Sequence, residues 1–126
     1  MRLLGIDYGS KRVGLALSDE ARHFAFPHDV LKNDRNLVKR IGDVCKKEKV
    51  GKIILGESLN YKGEMNEIMK DIQMFKLEIE ESLNIPVEYE NEILSSAEAE
   101  RLQGKGDKLD ASAAAIILKS YIDKTK

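Results

Sequence analysis

The sequence predicts an α/β fold: a mixed five-stranded sheet, three antiparallel strands followed by two parallel ones, flanked by helices. Three observations lead there. The first 31 residues hold three short strand-like runs separated by turns. From residue 33 onward, segments of helical period alternate with short strand-like runs, the pattern of strands joined by helices. The length of 126 residues, 42 % hydrophobic and 34 % charged, suits one soluble domain, residues 1–126, with enough apolar material for a core.

Leu3, Leu4 and Ile6 form an apolar run without polar alternation, the mark of a strand buried on both faces. Asp7 interrupts it on the side of Leu3 and Gly5, because residues two apart share a face. A carboxylate there costs several kcal/mol, or is protonated, unless a cation or donors meet it. Gly9-Ser10-Lys11-Arg12 supplies a turn rich in backbone amides and positive charge. Val13, Leu15 and Leu17 resume as a second strand, with Gly14 and Ala16 keeping its other face small. A hairpin with one acid at its heart and two cations at its tip suits metal-bound phosphate chemistry.

Arg22 to Leu31 reads as a third strand with Phe24, Phe26, His28 and Val30 on one half-buried side, and Pro27 puts it at a sheet edge. His23 and His28 have no ligand partner at metal spacing and read as structural. Asn33-Asp34 resembles a helix N-cap. Leu37, Val38, Ile41, Val44 and Cys45 then predict an amphipathic helix to about Lys49, with Cys45 on its buried stripe. Its outer face carries Lys39, Arg40, Lys46, Lys47 and Lys49, either a solvated face or one that contacts nucleic acid.

Val50 to Leu55 reads as a central strand parallel to the first, with Glu57 and Ser58 at its C-terminal end, where open α/β sheets place ligands. Met65, Ile68, Met69, Ile72, Phe75, Ile79 and Leu83 predict the longest helix, ended by Asn84-Ile85-Pro86. Val87 to Ile93 alternates Val87, Tyr89, Asn91 and Ile93 with Glu88, Glu90 and Glu92, an opposite edge strand whose acids are expected to face water. Ser95 to Glu98 fits a capping box opening a short helix to Gln103, and Gly104-Lys105-Gly106 reads as a hinge. The last helix runs from about Lys108 to Asp123, its alanines allowing close approach to the sheet. Asp110 shares its inward stripe with Ala113 and Ile117 and needs a partner.

Net charge is −1, so nucleic-acid binding would need a local patch. The chain enters a strand at once, without a basic-then-apolar leader, and no apolar run approaches the roughly 18 residues that span a bilayer. Neither a signal peptide nor a membrane partner is expected. The single cysteine, Cys45, excludes an internal disulfide and fits a cytoplasmic location.

Asp7-Tyr8-Gly9-Ser10-Lys11-Arg12-Val13-Gly14-Leu15-Ala16 closely resembles the opening motif Asp-x-Gly-x-Lys-Arg-Ile-Gly-x-Ala of a bacterial family called YqgF or RuvX. Its members are named as pre-16S rRNA nucleases or Holliday-junction resolvase-like proteins. Glu92 to Ala99 resembles the family's Asp-Glu-Arg-Leu-Thr-Thr-x-Glu-Ala segment, and Asp110 to Ile122 its closing helix. The resemblance implies a ribonuclease H-like fold. It also implies a metal-dependent endonuclease acting on pre-16S rRNA, or alternatively on branched DNA. Asp7, Glu92 and Asp110 correspond to the family's acids and would hold Mg²⁺ or Mn²⁺, two ions in all, since hard cations take oxygen ligands. Gly9, Ser10, Lys11 and Arg12 would grip the substrate's phosphates. A monomer or weak homodimer is expected.

Each acid has a plainer role open to it. Asp110 suits any helix N-terminus, and Glu92 fits a solvated edge. Two departures matter. Asn91-Glu92-Ile93 stands where the family has Asp-Glu-Arg, and Gly56-Glu57-Ser58 where it has Gly-Leu-Pro, which makes Glu57 a reserve ligand. Two rival functions fit other features: an actin- or sugar-kinase-like ATP-binding unit, from the Asp-x-Gly-Ser turn, and a non-catalytic RNA-binding assembly factor, from the altered segment.

Overall fold

The computed structural model describes residues 1–57, 68–91 and 107–125. Five strands, β1 (Arg2–Tyr8), β2 (Arg12–Ser18), β3 (Ala25–Lys32), β4 (Val50–Glu57) and β5 (Val87–Asn91), form one sheet in the order β3-β2-β1-β4-β5. β1 pairs antiparallel with β2 and β2 with β3, whereas β1–β4 and β4–β5 are parallel. The expected three antiparallel strands followed by two parallel ones are therefore observed. Helices α1 (Leu37–Glu48), α2 (Ile68–Leu83) and α3 (Asp107–Lys124) flank the sheet.

Strand alternation sorts the core into two layers. Leu4, Ile6, Val13, Leu15, Leu17, Ile53 and Leu55 project toward α1 and α2, meeting Leu37 and Ile41 of the first and Met69, Ile72 and Ile79 of the second. Leu3, Ala16 and Ile54 project the other way, toward Ala114, Ile117, Leu118 and Ile122 of α3. Full burial of each large aliphatic side chain contributes about 1.5–3 kcal/mol. α3 lies directly on β1. A Cβ added at Gly5 would sit 2.9 Å from both the Ala114 carbonyl oxygen and the Leu118 Cβ, so both the glycine and the alanines are steric requirements. Cys45 is buried in the α1 layer, and burial pushes its thiol up to about 11; it is an inert packing residue.

Three expectations change. β3 is an edge strand, but Phe24 and Phe26 are 64 % and 53 % exposed rather than half-buried. The register slips between Leu15 and Ala16, which pair with Asp29 and Pro27. The bulge absorbs His28, so Phe26, opposite Leu17, and Val30, opposite Gly14, fall on different faces. Secondly, α1 begins at Leu37, with Asn36 at the boundary; Asp34 instead accepts a hydrogen bond from the Asn36 amide (2.9 Å) and pairs with Arg40. Thirdly, one of the acids of β5 does not face water, while Glu88 stays exposed. Glu90 is 5 % exposed under α3, accepting from Ser120 Oγ at 2.7 Å and from Lys124 Nζ at 2.8 Å. Glu88 pairs with Lys52, whose Nζ also donates to Tyr121 Oη at 3.2 Å. The start of the long helix before Ile68, the Ser95–Gln103 helix and the Gly104–Gly106 hinge lie outside the described residues.

Candidate nucleic-acid site at the ends of the central strands

β1 and β4 run side by side in parallel and end together, with Ile6 paired to Leu55. Asp7 is the next residue of β1. Its neighbour Tyr8 turns to the α2 layer, where its ring lies 4.7 Å from that of Phe75 between centroids. Alternation therefore sends Asp7 to the α3 side, the side of Gly5. In β2 it is opposite Gly14, which has no side chain to crowd it.

The course of α3 shows what else arrives there. Leu3 lines a cavity with Tyr121 and Ile122 near the helix's C-terminal end, while Gly5 lies against Ala114 and Leu118. α3 thus runs antiparallel to β1. Two residues beyond Gly5, about 6.6 Å along the strand, is Asp7. Four residues before Ala114, about 6 Å along the helix, is Asp110. The first turn of α3 is accordingly at Asp7's end of the sheet. The Asp110 side chain itself is outside the described residues, as is Glu92.

Beside Asp7 the chain makes a tight turn. A Cβ at Gly9 would come 2.5 Å from the Arg12 carbonyl oxygen, so only glycine fits. Ser10, Lys11 and Arg12 are exposed at the tip. Asn33 holds this turn from the β3–α1 junction: its Nδ2 donates to the Gly9 carbonyl at 2.7 Å and its backbone N–H to the Lys11 carbonyl at 2.9 Å. Sequence reasoning assigned Asn33 only to a helix cap, because its true partners lie more than twenty positions away.

Glu57 is not brought to Asp7. It has the parity of Ile53 and Leu55 and so falls on the α2 side of the sheet. There its charge adds to the burial that pushes the Tyr89 phenol up. Among the described residues, no three histidines, cysteines or acids gather as a metal cluster. The structure joins Asp7, the Gly9–Arg12 turn and the α3 N-terminus, and it separates Glu57 from them.

Over residues 1–124 the sequence matches the family described as RuvX: Holliday junction resolvase. The chain belongs to the RuvX family. A relative from Dictyoglomus turgidum, named "Putative pre-16S rRNA nuclease", is 36% identical, the match covering 98% of this chain and 94% of the relative. A relative of the same name from Maridesulfovibrio salexigens is 34% identical over 97% of this chain and 98% of its own length. Among solved structures, Thermus thermophilus RuvC in complex with a Holliday junction substrate superposes with a TM-score of 0.66 at 18% identity. It covers 99% of this chain and 96% of that one. That likeness shows the fold: this RuvX-family chain has the ribonuclease H-like architecture of RuvC, as the resemblance of its motifs implied.

Proposed function

We propose that this RuvX-family chain is a metal-dependent endonuclease that cuts nucleic-acid phosphodiesters, and that its substrate is the 5′ leader of pre-16S rRNA. The observation that carries the reading is the position of Asp7. It stands on the α3 side at the C-terminal end of β1, beside a cationic turn, in a chain that matches the family nearly end to end. The names of the relatives supply the substrate.

The donors suit a hard divalent cation, Mg²⁺ or Mn²⁺, and two ions are proposed. Asp7 offers a carboxylate on the α3 side of the sheet, opposite Gly14. Asp110 is assigned as second ligand because the first turn of α3 lies at the same end of the sheet, and a helix N-terminus keeps an acid ionised. Glu92 is assigned as third because Glu88 and Glu90 already occupy the α3 side of β5; Glu57, on the other side, gives up its reserve place. Bound there, the ions would lower the pKa of an attacking water and neutralise charge on the leaving oxygen. The protein's own part is positional. Gly9 and Ser10 present backbone N–H groups, and Lys11 and Arg12 present charge, to the phosphates flanking the cut. None of the described helices is long and apolar enough to cross a membrane, and we place the protein in the cytoplasm, acting as a monomer or weak homodimer.

A second reading, cleavage of branched DNA, is favoured by the family's description and by the RuvC likeness; it would call for a dimer that cuts two strands symmetrically. The deciding assay offers the protein an RNA carrying the 5′ leader and, in parallel, a four-way DNA junction. Each is incubated with Mg²⁺, Mn²⁺ or EDTA, using wild type and Asp7→Asn. RNA cleavage that needs metal and disappears in the variant is the expected result. Junction cleavage alone selects the second reading, and binding without cleavage of either substrate refutes the enzyme in favour of an RNA-binding assembly factor.

A further inference from the structure

We infer that the cleft between the N-terminal halves of α1 and α2 is a base pocket, which takes an unpaired guanine of the substrate next to the phosphates held at the Gly9–Arg12 turn. This rests on the endonuclease reading with RNA as substrate, and adds the base that the protein selects.

The topology puts this cleft at the site end of the sheet. β3 ends opposite the start of β2, with Lys32 paired to Arg12, so α1 departs from beside the turn. α2 joins β4 to its parallel neighbour β5 and must run back along the sheet. Its last residue, Leu83, lies against Gly42 of α1 and lines a separate cavity with Val50, the first residue of β4. The N-terminal halves of both helices are therefore at the end where β1 and β4 finish. Between them is a cavity of about 370 Å³, within the range of small-ligand sites. Tyr8, the residue after Asp7, lines it together with Phe75, their ring centroids 4.7 Å apart. Met74 adds a thioether that is 70 % exposed. Asn33, whose Nδ2 holds the Gly9 carbonyl, also lines it, so the cleft and the turn share a wall.

The polar lining decides between occupants. Asp34 is committed to Arg40 at 3.3 Å and to the Asn36 amide. Asp71 and Glu78 are exposed, and among the described residues no ion pair holds either of them. Across the cleft from these two carboxylates stands the single guanidinium of Arg35. The balance is negative, which turns a phosphate away. A neutral base fits instead, because unpaired bases stack on aromatic side chains and a thioether packs well against a ring. The acids then choose among bases. A carboxylate only accepts, through two oxygens. Guanine offers it two adjacent N–H groups, from N1 and from the 2-amino group, whereas adenine and cytosine set a ring acceptor beside their amino group and uracil sets its one N–H between two carbonyls. Asp71, Met74 and Glu78 follow at spacings of three and four on one face of α2, so the thioether is flanked by two acceptors.

The test is binding, in EDTA so that nothing is cut, of fluorescent oligouridylates that carry a single central G or a single central A. Wild type should bind the G oligomer about tenfold more tightly, the discrimination expected of one bidentate contact. Asp71→Ala/Glu78→Ala should bring that ratio to about one. Glu81→Ala, an exposed acid of α2 outside the cleft, should keep it. The ratio is the readout because removing acids relieves repulsion toward both oligomers alike, which a purely electrostatic role would also do. All three positions are exposed, and thermal melts verify that the variants fold. Equal binding of the two oligomers by wild type, a preference that survives the double substitution, or the same loss in Glu81→Ala would overturn the guanine pocket and leave the nuclease reading standing. A wild-type protein that binds neither oligomer would overturn both.

Discussion

At the scale of single residues, the site depends on small groups that cannot be enlarged and on one amide that cannot be replaced by its acid. Gly5 and Gly9 belong to the first kind, each facing a backbone carbonyl too near for a methyl group. Asn33 is the second. Its Nδ2–H reaches the Gly9 carbonyl, and a carboxylate of the same shape would aim an acceptor at an acceptor. Asn33→Asp is expected to lose about 1–2 kcal/mol of stability. It should also speed hydrogen exchange at the amides of residues 10–12 and weaken RNA binding. Exchange unchanged at the turn would show that the Gly9 contact is not what orders it. Asp19 behaves differently. It accepts from the amides of Phe24 and His23 in the β2–β3 connection, and these bonds, Phe24's first, hold its carboxyl below the usual range. A depressed folded-state pKa contributes stability that is present above the unfolded value. That stability is lost as pH falls through the folded value, below about 4.

At the scale of elements, α3 is the piece whose placement makes the site, and a polar latch on β5 secures its far end. Replacing the buried Glu90 by Ala leaves the half-buried Ser120 hydroxyl without its acceptor, an expected loss of about 1–2 kcal/mol in urea unfolding with an unchanged m-value. Glu90→Gln still offers an oxygen to Ser120 and gives up only the pairing with the mostly exposed Lys124, so it should cost less than about 1 kcal/mol. Equal losses in the two variants would assign the latch to the charge and not to the serine. The same elements mark the reach of sequence reasoning. Strand and helix periods are local, and β1, β2, α1, β4 and α2 were legible from them. Asp7 and the turn of residues 9–12 were legible too, because they are consecutive. The phase of β3 was hidden, since one bulged residue turns over every side chain beyond it. The burial of Glu90 was hidden because its partners, Ser120 and Lys124, lie some thirty residues later, on α3. Glu57 was named a reserve ligand without knowledge of the register: its strand ends beside Asp7's, and its parity puts it on the α2 face.

At the scale of the whole molecule, the proposed metal centre unites parts of the chain that nothing else needs to bring together: the end of β1 and the start of α3, a hundred residues apart. A cation held between them binds the folded state and not the unfolded one, so it must raise stability by mass action. At a concentration 100 times its Kd the gain is about 2.7 kcal/mol. For a chain of this size that corresponds to a rise in Tm of roughly 10 °C. Wild type in Mn²⁺ should melt that much later than in EDTA, and Asp7→Asn should show almost none of the difference. Melting needs neither substrate nor turnover, so it separates the metal centre from the choice between RNA and junction DNA. A wild-type protein with the same Tm in Mn²⁺ and EDTA would remove the metal from the reading. Asp7 would then be a carboxylate serving the cationic turn beside it, and RNA binding without cleavage would be the activity that the fold supports.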